Sequence, residues 1–307
     1  MNNNSQPMVS IHCLAYNHEK TIRKTLDGFL MQKTNFPIEA IVHDDASTDN
    51  TVEIIKKYAV QYPHIIKPIF EKENQYSKHD GSLQKIMHNA CKGKYIAYCE
   101  GDDYWIDPLK LQKQVDYLEA HPEITYSCCR FYVQNEFNST FKEGYNKYFD
   151  NEIHKKETKF IFDQSYPFLE DWVTLTLTQV IRRDAIDLNF RLQFKYSRDV
   201  HLIYDVLSKG KGVCHNFFGG VSIVSEASTF GKHPLSKKLM ISYNIYDELY
   251  NKTRSPLIKK CLSNCYAQLF QNSVLKFPRH IFEIPLIPKE ILRYLKKYCK
   301  RLLANKK

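Results

Sequence analysis

Residues 95–111 read Tyr-Ile-Ala-Tyr-Cys-Glu-Gly-Asp-Asp-Tyr-Trp-Ile-Asp-Pro-Leu-Lys-Leu. The apolar run Tyr95 to Cys99 predicts a short buried strand, which breaks at once into an acidic loop, Glu100-Gly101-Asp102-Asp103. Asp107-Pro108 then supplies an N-cap residue and a first-turn proline for a helix with Leu111, Val115 and Leu118 inward. Upstream the same alternation repeats. Val9 to Leu14 predicts a strand and Ile22, Leu26, Phe29 and Leu30 a helix face. Ile38 to Val42 predicts a second strand, ended by the polar cluster 43–50, and Val52, Ile55 and Tyr58-Ala59 mark a second helix. Ile65 to Phe70 is a third strand, with Leu83, Ile86, Met87 and Ala90 on the helix after it; another strand is expected at Ile124 to Cys128. Strands alternating with helices require right-handed crossovers, so the fold class is α/β, a mostly parallel sheet with helices on both faces.

Ligands bind such sheets outside the carboxyl ends of the strands. Two acidic clusters are expected at that edge: Asp44-Asp45 after the second strand, and Glu100, Asp102 and Asp103 after the fourth. No G-x-G-x-x-G and no G-x-x-x-x-G-K-[ST] occurs, which removes dinucleotide-dehydrogenase and P-loop readings. Carboxylates gathered in a crevice repel one another and need a cation or a nucleobase donor to satisfy them. Hard oxygen ligands favour Mg2+ or Mn2+, and a metal held by one or two carboxylates keeps open positions for a diphosphate. A nucleotide diphosphate is the implied substrate. Taken singly, each Asp-Asp doublet can also be a turn or a cap.

Composition bounds the rest. At 307 residues, 43% hydrophobic and 25% charged, the chain can fill a large core, and no apolar run approaches the roughly 18 residues of a membrane span. The polar lead 1–7 is expected to be disordered and shows no secretory leader pattern. Nine cysteines without C-x-x-C spacing read as reduced core thiols of a cytoplasmic protein. From 131 to 170 the period is lost, as expected of a variable insert over the crevice. Val173 to Ile181 predicts a strand, and Asp199 leads a helix with Leu202, Ile203, Val206 and Leu207 inward and Gly210 as its stop. His215 reads as a core histidine. From 235 to 307 the pattern is helical, broken by Pro256, Pro278, Pro285 and Pro288.

Three blocks carry a family resemblance: 9–32 (VSIHCLAYNHEKTIRKTLDGFLMQ), 38–51 (IEAIVHDDASTDNT) and 95–111 (YIAYCEGDDYWIDPLKL). In order and spacing they resemble the family 2 glycosyltransferases, inverting enzymes with the Rossmann-like GT-A fold. The resemblance implies a GT-A domain over 8–234, with a helical extension over 235–307. It implies that Ala15 and Tyr16 line the nucleotide, that Asp45, with Asp44 beside it, accepts from the base, and that Asp102 and Asp103 lie near ribose and metal. Asp103 is the preferred metal ligand. Glu100 stands where many members carry the first acid of D-x-D-D. Trp105 is expected as a packing residue at the site wall. Asp199 fits the general base at the start of a helix, with a plain helix cap and the pair Glu170-Asp171 as its rivals. The Arg and His with which members often reach the diphosphate further on are missing from Gly220 to Glu226; either Arg198, Lys232 or His233 supplies that positive charge, or closure differs from the family pattern.

The implied activity is metal-dependent transfer of a single sugar from a nucleotide-diphospho-sugar, UDP-linked in the simplest case, to a hydroxyl of a bacterial surface glycan or lipid-linked oligosaccharide. The missing Q-x-x-R-W motif argues against processive synthesis. A sugar nucleotidyltransferase would need a glycine-rich basic loop where Ala15 to Glu19 stand, and a non-catalytic sugar-nucleotide-binding protein remains the other alternative. The net charge of +10 is concentrated in 289–307, where eight basic side chains face Glu290 alone. On a helix they surround an apolar face, which suits either an anionic membrane surface, hence a peripheral inner-face location, or docking on the protein itself. No nucleic-acid-reading motif is present.

Overall fold

The structure, a computed structural model, describes residues 6–135, 140–195, 197–224 and 233–276. The chain divides into two units, 1–225 and 226–307. The first opens with the expected alternation: β1 (Val9–Ala15), α1 (Ile22–Leu30), β2 (Ile38–Asp44), α2 (Thr51–Gln61), β3 (Ile66–Phe70), α3 (Ser82–Ala90) and β4 (Tyr95–Tyr98). It continues through β5 (Tyr104–Trp105), α4 (Lys110–Ala120), β6 (Ile124–Asn135), β7 (Phe141–Glu143), β8 (Lys159–Phe162), α5 (Ser165–Leu169), β9 (Val180–Arg182), α6 (Leu188–Arg191), α7 (Asp199–Leu207) and β10 (Lys211–Val224).

The sheet runs β3-β2-β1-β4-β9-β6-β10-β5, with β7 added to β6 and β8 to β10. β3, β2, β1 and β4 are mutually parallel, as the crossovers require; β9 is antiparallel to β4 and β6, so the sheet is mixed beyond β4. Strand periodicity divides the core. Ile11, Cys13, Val42 and Ala97 pack with Leu26, Phe29, Ile55 and Val115 from α1, α2 and α4. Ile41, Ile96 and Tyr98 point the other way, onto Leu83 and Met87 of α3 and Leu202, Ile203 and Val206 of α7. Each fully buried Leu or Ile contributes about 1.5–3 kcal/mol.

Two segments differ from their sequence reading. Of Val173 to Ile181, predicted as one strand, only the end joins β9; Thr176–Thr178 form a 3-10 turn. Trp105 Nε1 donates to the Leu177 carbonyl (2.8 Å) and Gln114 Nε2 to the Thr178 carbonyl (3.0 Å), taking acceptors that a ladder would use. The stretch 131–170, unpatterned in sequence, holds the end of β6, β7, β8 and α5, ordered by the packed rings of Tyr148, Phe149, Phe160 and Tyr166, whose centroids lie 4.1–5.5 Å apart.

In the second unit α8 (Leu235–Thr253) and α9 (Pro256–Lys276) pack on each other. Pro256 opens α9 rather than breaking it, because a first-turn residue has no N–H to lose from the ladder. The basic stretch 289–307 and Lys232 lie outside the described residues. Among those described, no helix is long and apolar enough to cross a membrane, and the eight cysteines are all buried and form no disulfide.

Candidate active site

The carboxyl ends of β1, β2 and β4 are tied edge to edge. The Asp45 amide donates to the Ala15 carbonyl (2.9 Å) and the Gly101 amide to the Leu14 carbonyl (2.8 Å). These two bonds bring Ala15, Asp45 and the acidic loop to one place. A Cβ on Gly101 would come 2.6 Å from His18 Nδ1 and 3.1 Å from Ala15 Cβ, so the loop can pack there only with glycine. From below, the Thr25 hydroxyl reaches the carbonyls of Gly101 (3.0 Å) and Asp103 (2.7 Å), and Thr21 donates to Gly101 as well (2.8 Å). α1 thus carries the acidic loop on its first two turns.

The predicted residues divide by environment. Asp44 is buried and closes its own turn, accepting from the Ser47 amide (3.0 Å) and hydroxyl (2.5 Å), with Ala46 held at φ 65°. Asp45 accepts from the amides of Gln75 (2.6 Å) and Tyr76 (3.0 Å), anchoring the loop after β3 at the site. Tyr16 stands open on the rim. Asp103 is buried and accepts from the Ile223 amide (3.0 Å), which fastens the acidic loop to β10; Asp102 beside it is the more open carboxylate. Trp105 is buried against Phe29, a packing residue as expected.

Burial first, then the charges of Asp102 and Asp103, push the Glu100 carboxyl up to about 8; burial and Asp102 do the same to Asp103, also to about 8. A divalent cation fits this set. Its ligands would be hard oxygens, and it would relieve the repulsion that now favours protons. No group of three or more His, Cys, Asp or Glu converges on one point among the described residues. The chain would therefore supply few ligands and leave positions open for substrate oxygens.

Beneath the loop a crevice of about 320 Å3 lies against the sheet, bounded by Glu100 at one side and Asp199 at another. His12 and Leu14 form its floor because they alternate with the core residues Ile11 and Cys13. Asp199 is the first residue of α7, and its carboxylate accepts from the Val200 amide (2.9 Å). The cap position itself belongs to Arg198, whose amide donates to His201 Nδ1 (3.1 Å), so Asp199 is not the helix cap. Desolvation by the crevice walls raises the Asp199 carboxyl above the usual range, with the Val200 amide and Arg198 opposing, which strengthens it as a proton acceptor. The rivals are elsewhere: Glu170 pairs with Lys147 (2.7 Å) and Asp171 accepts from the Lys147 amide (2.8 Å), and neither lines the crevice.

Among the lining residues that escaped the sequence reading are His12, Gln179 and Arg191. A polar residue in an otherwise apolar strand was the available signal for His12. Arg191 had none, since only the folding of α6 beside α7 brings it to the crevice.

A family model for glycosyl transferase family 2 matches residues 10–183. An uncharacterized protein of Mycobacterium tuberculosis is 51% identical over 117 residues, covering 38% of this chain and 33% of that protein. WfaP of Escherichia coli, a UDP-Glc:α-D-GlcNAc-diphosphoundecaprenol β-1,3-glucosyltransferase, is 34% identical over 130 residues, 42% of this chain and 48% of WfaP. The matches thus span less than half of either relative. Among solved structures, Staphylococcus aureus TarS 1–349 with UDP-GlcNAc superposes with a TM-score of 0.60 at 17% identity, over 92% of this chain and 77% of TarS 1–349. That likeness is one of fold.

Proposed function

The chain belongs to glycosyl transferase family 2, and from that premise we propose that it transfers one sugar, with inversion, from a nucleotide-diphospho-sugar to a hydroxyl of a surface glycan or lipid-linked oligosaccharide. A UDP-sugar is the donor we favour. WfaP uses UDP-Glc, by its name, and TarS binds UDP-GlcNAc; both support that choice. The observation that carries the reading is the pairing, in one crevice, of Asp199 at a helix start with the acidic loop at the strand ends.

In this reading Ala15, Tyr16 and Asp45 hold the nucleoside, and Asp102 and Asp103 hold Mn2+ or Mg2+ with Glu100 beside them. The cation, when bound, offsets the charge of the departing diphosphate. Asp199 takes the proton from the acceptor hydroxyl, whose oxygen bonds to the anomeric carbon on the face opposite the diphosphate. The anomeric carbon–oxygen bond to the diphosphate breaks as the new one forms, and the electron pair leaves with the diphosphate.

A panel of nucleotide sugars, titrated calorimetrically with and without Mn2+ and scored for slow donor hydrolysis, tests this directly. One donor is expected to bind in a metal-dependent way; binding of none would leave a protein without this activity. The basic stretch 289–307 supports a peripheral place at an anionic membrane. Co-sedimentation with phosphatidylglycerol vesicles should be lost when it is removed; sedimentation that survives removal would end that part of the reading.

A further inference from the structure

Beyond Asp199 the crevice wall turns cationic. A side pocket there is lined by Arg191 from the end of α6, Arg198 from the start of α7, Lys195, Ser197 and Tyr76, and none of its lining residues is acidic. Arg191 buries its Nε without a hydrogen-bond partner and makes no ion pair among the described residues. Its charge bears on its neighbours: after burial itself, it is the largest influence holding His12 and His201 down at about 3. A half-buried guanidinium whose Nε–H is unmet costs stability, and its planar fork matches the oxygens of a phosphoryl group. The pocket shares Tyr76, Arg191, Ser197 and Arg198 with the crevice that holds Asp199. None of Ala15, Asp45, Asp102 and Asp103 lines it. Gln75 and Tyr76, whose amides donate to Asp45, line its other side, so the pocket runs from the Asp45 loop to the start of α7, where Arg198 is the chain neighbour of Asp199.

We propose that Arg191 and Arg198 form a subsite for a phosphoryl group carried by the acceptor, close to the hydroxyl that Asp199 deprotonates. The inference rests on the transfer reading above and narrows its acceptors to phosphorylated ones. Two anions would then be held in one crevice by different means: the donor diphosphate at the strand-end carboxylates through a cation, and the acceptor phosphate directly by arginine.

The test uses the full chain saturated with UDP and Mg2+, titrated with methyl phosphate, and with acetate as the carboxylate control, followed by phosphorus and proton NMR. Methyl phosphate should bind alongside UDP and more tightly than acetate. Arg191→Gln and Arg198→Gln should each weaken it at least tenfold, with UDP affinity within twofold of wild type. Arg191→Lys, which keeps charge but loses the fork, should fall between. The proposal is overturned if UDP displaces methyl phosphate, if Arg191→Gln weakens UDP tenfold, or if acetate binds as well. It also fails if Arg191→Gln melts several degrees below wild type, since loss of an unpartnered cation should leave the melting temperature equal or higher. Should the wild-type chain bind neither UDP nor GDP with metal, the transfer reading fails on its own; arginine-dependent methyl phosphate binding would still support the subsite.

Discussion

Asp199 and the pair Asp102-Asp103 differ in what surrounds them, and their substitutions should differ accordingly. Asp199 sits at the start of α7 with one amide to accept and a crevice before it. Asp199→Asn keeps that geometry and removes the proton acceptor, so transfer should fall about 10²–10⁴-fold with donor affinity unchanged. Steady-state rates beside a donor titration check this, and transfer at the wild-type rate would remove Asp199 from the mechanism. Asp102 is half-buried, whereas Asp103 is buried and fastened to the Ile223 amide at 3.0 Å. Either Asp102→Ala or Asp103→Ala should abolish the Mn2+-dependent part of UDP binding. Calorimetry with and without Mn2+ separates them, because a variant that keeps the full metal effect is not a ligand. Both doublets were legible as sequence. Only the structure shows Asp44 turned into its own loop and Asp45 holding the segment at 75–76.

At the scale of elements, α1 does more than cover the sheet. Its Thr25 hydroxyl, fully buried, contacts two carbonyls of the acidic loop. Thr25→Val keeps the shape and orphans those carbonyls, which should cost about 1–3 kcal/mol and let the loop shift. Urea unfolding is expected to register the loss, and the UDP titration a weaker affinity. Unchanged values in both would mean that the Thr21 hydroxyl, the Gly101 amide and the Asp103–Ile223 bond hold the loop without it. The alternation of β1 to α3 followed from apolar spacing because each element buries one face against a continuous core. The 3-10 turn at Thr176–Thr178 did not, since its cause is side-chain donors from Trp105 and Gln114, distant in sequence.

Across the whole molecule, buried histidines set part of the pH response. His215, on β10, has no partner for Nε2 among the described residues and is held at about 4 by burial, with Lys159 next, against an ordinary 6.5. Its folded value lies below its unfolded one, so the unfolded chain binds the extra proton and stability falls as pH drops from 6.5 towards 4. Glu100 and Asp103, raised to about 8, act with the opposite sign, so the comparison must be between variants. Between pH 6.5 and 5 the wild type should lose about 2 kcal/mol more than His215→Gln. Urea curves at the two pH values measure it, and parallel losses would show that His215 protonates freely in the folded state.

The sequence by itself determined the α/β alternation, the family and the acidic edge, because apolar period and strand-end carboxylates are local properties of the chain. The tertiary structure alone decided that Asp199, rather than Glu170 or Asp171, shares a crevice with Glu100, and that Arg191 joins them. Those neighbours come from α6, α7 and β4, elements brought together only by burying one face of the sheet, and no spacing along the chain encodes that meeting.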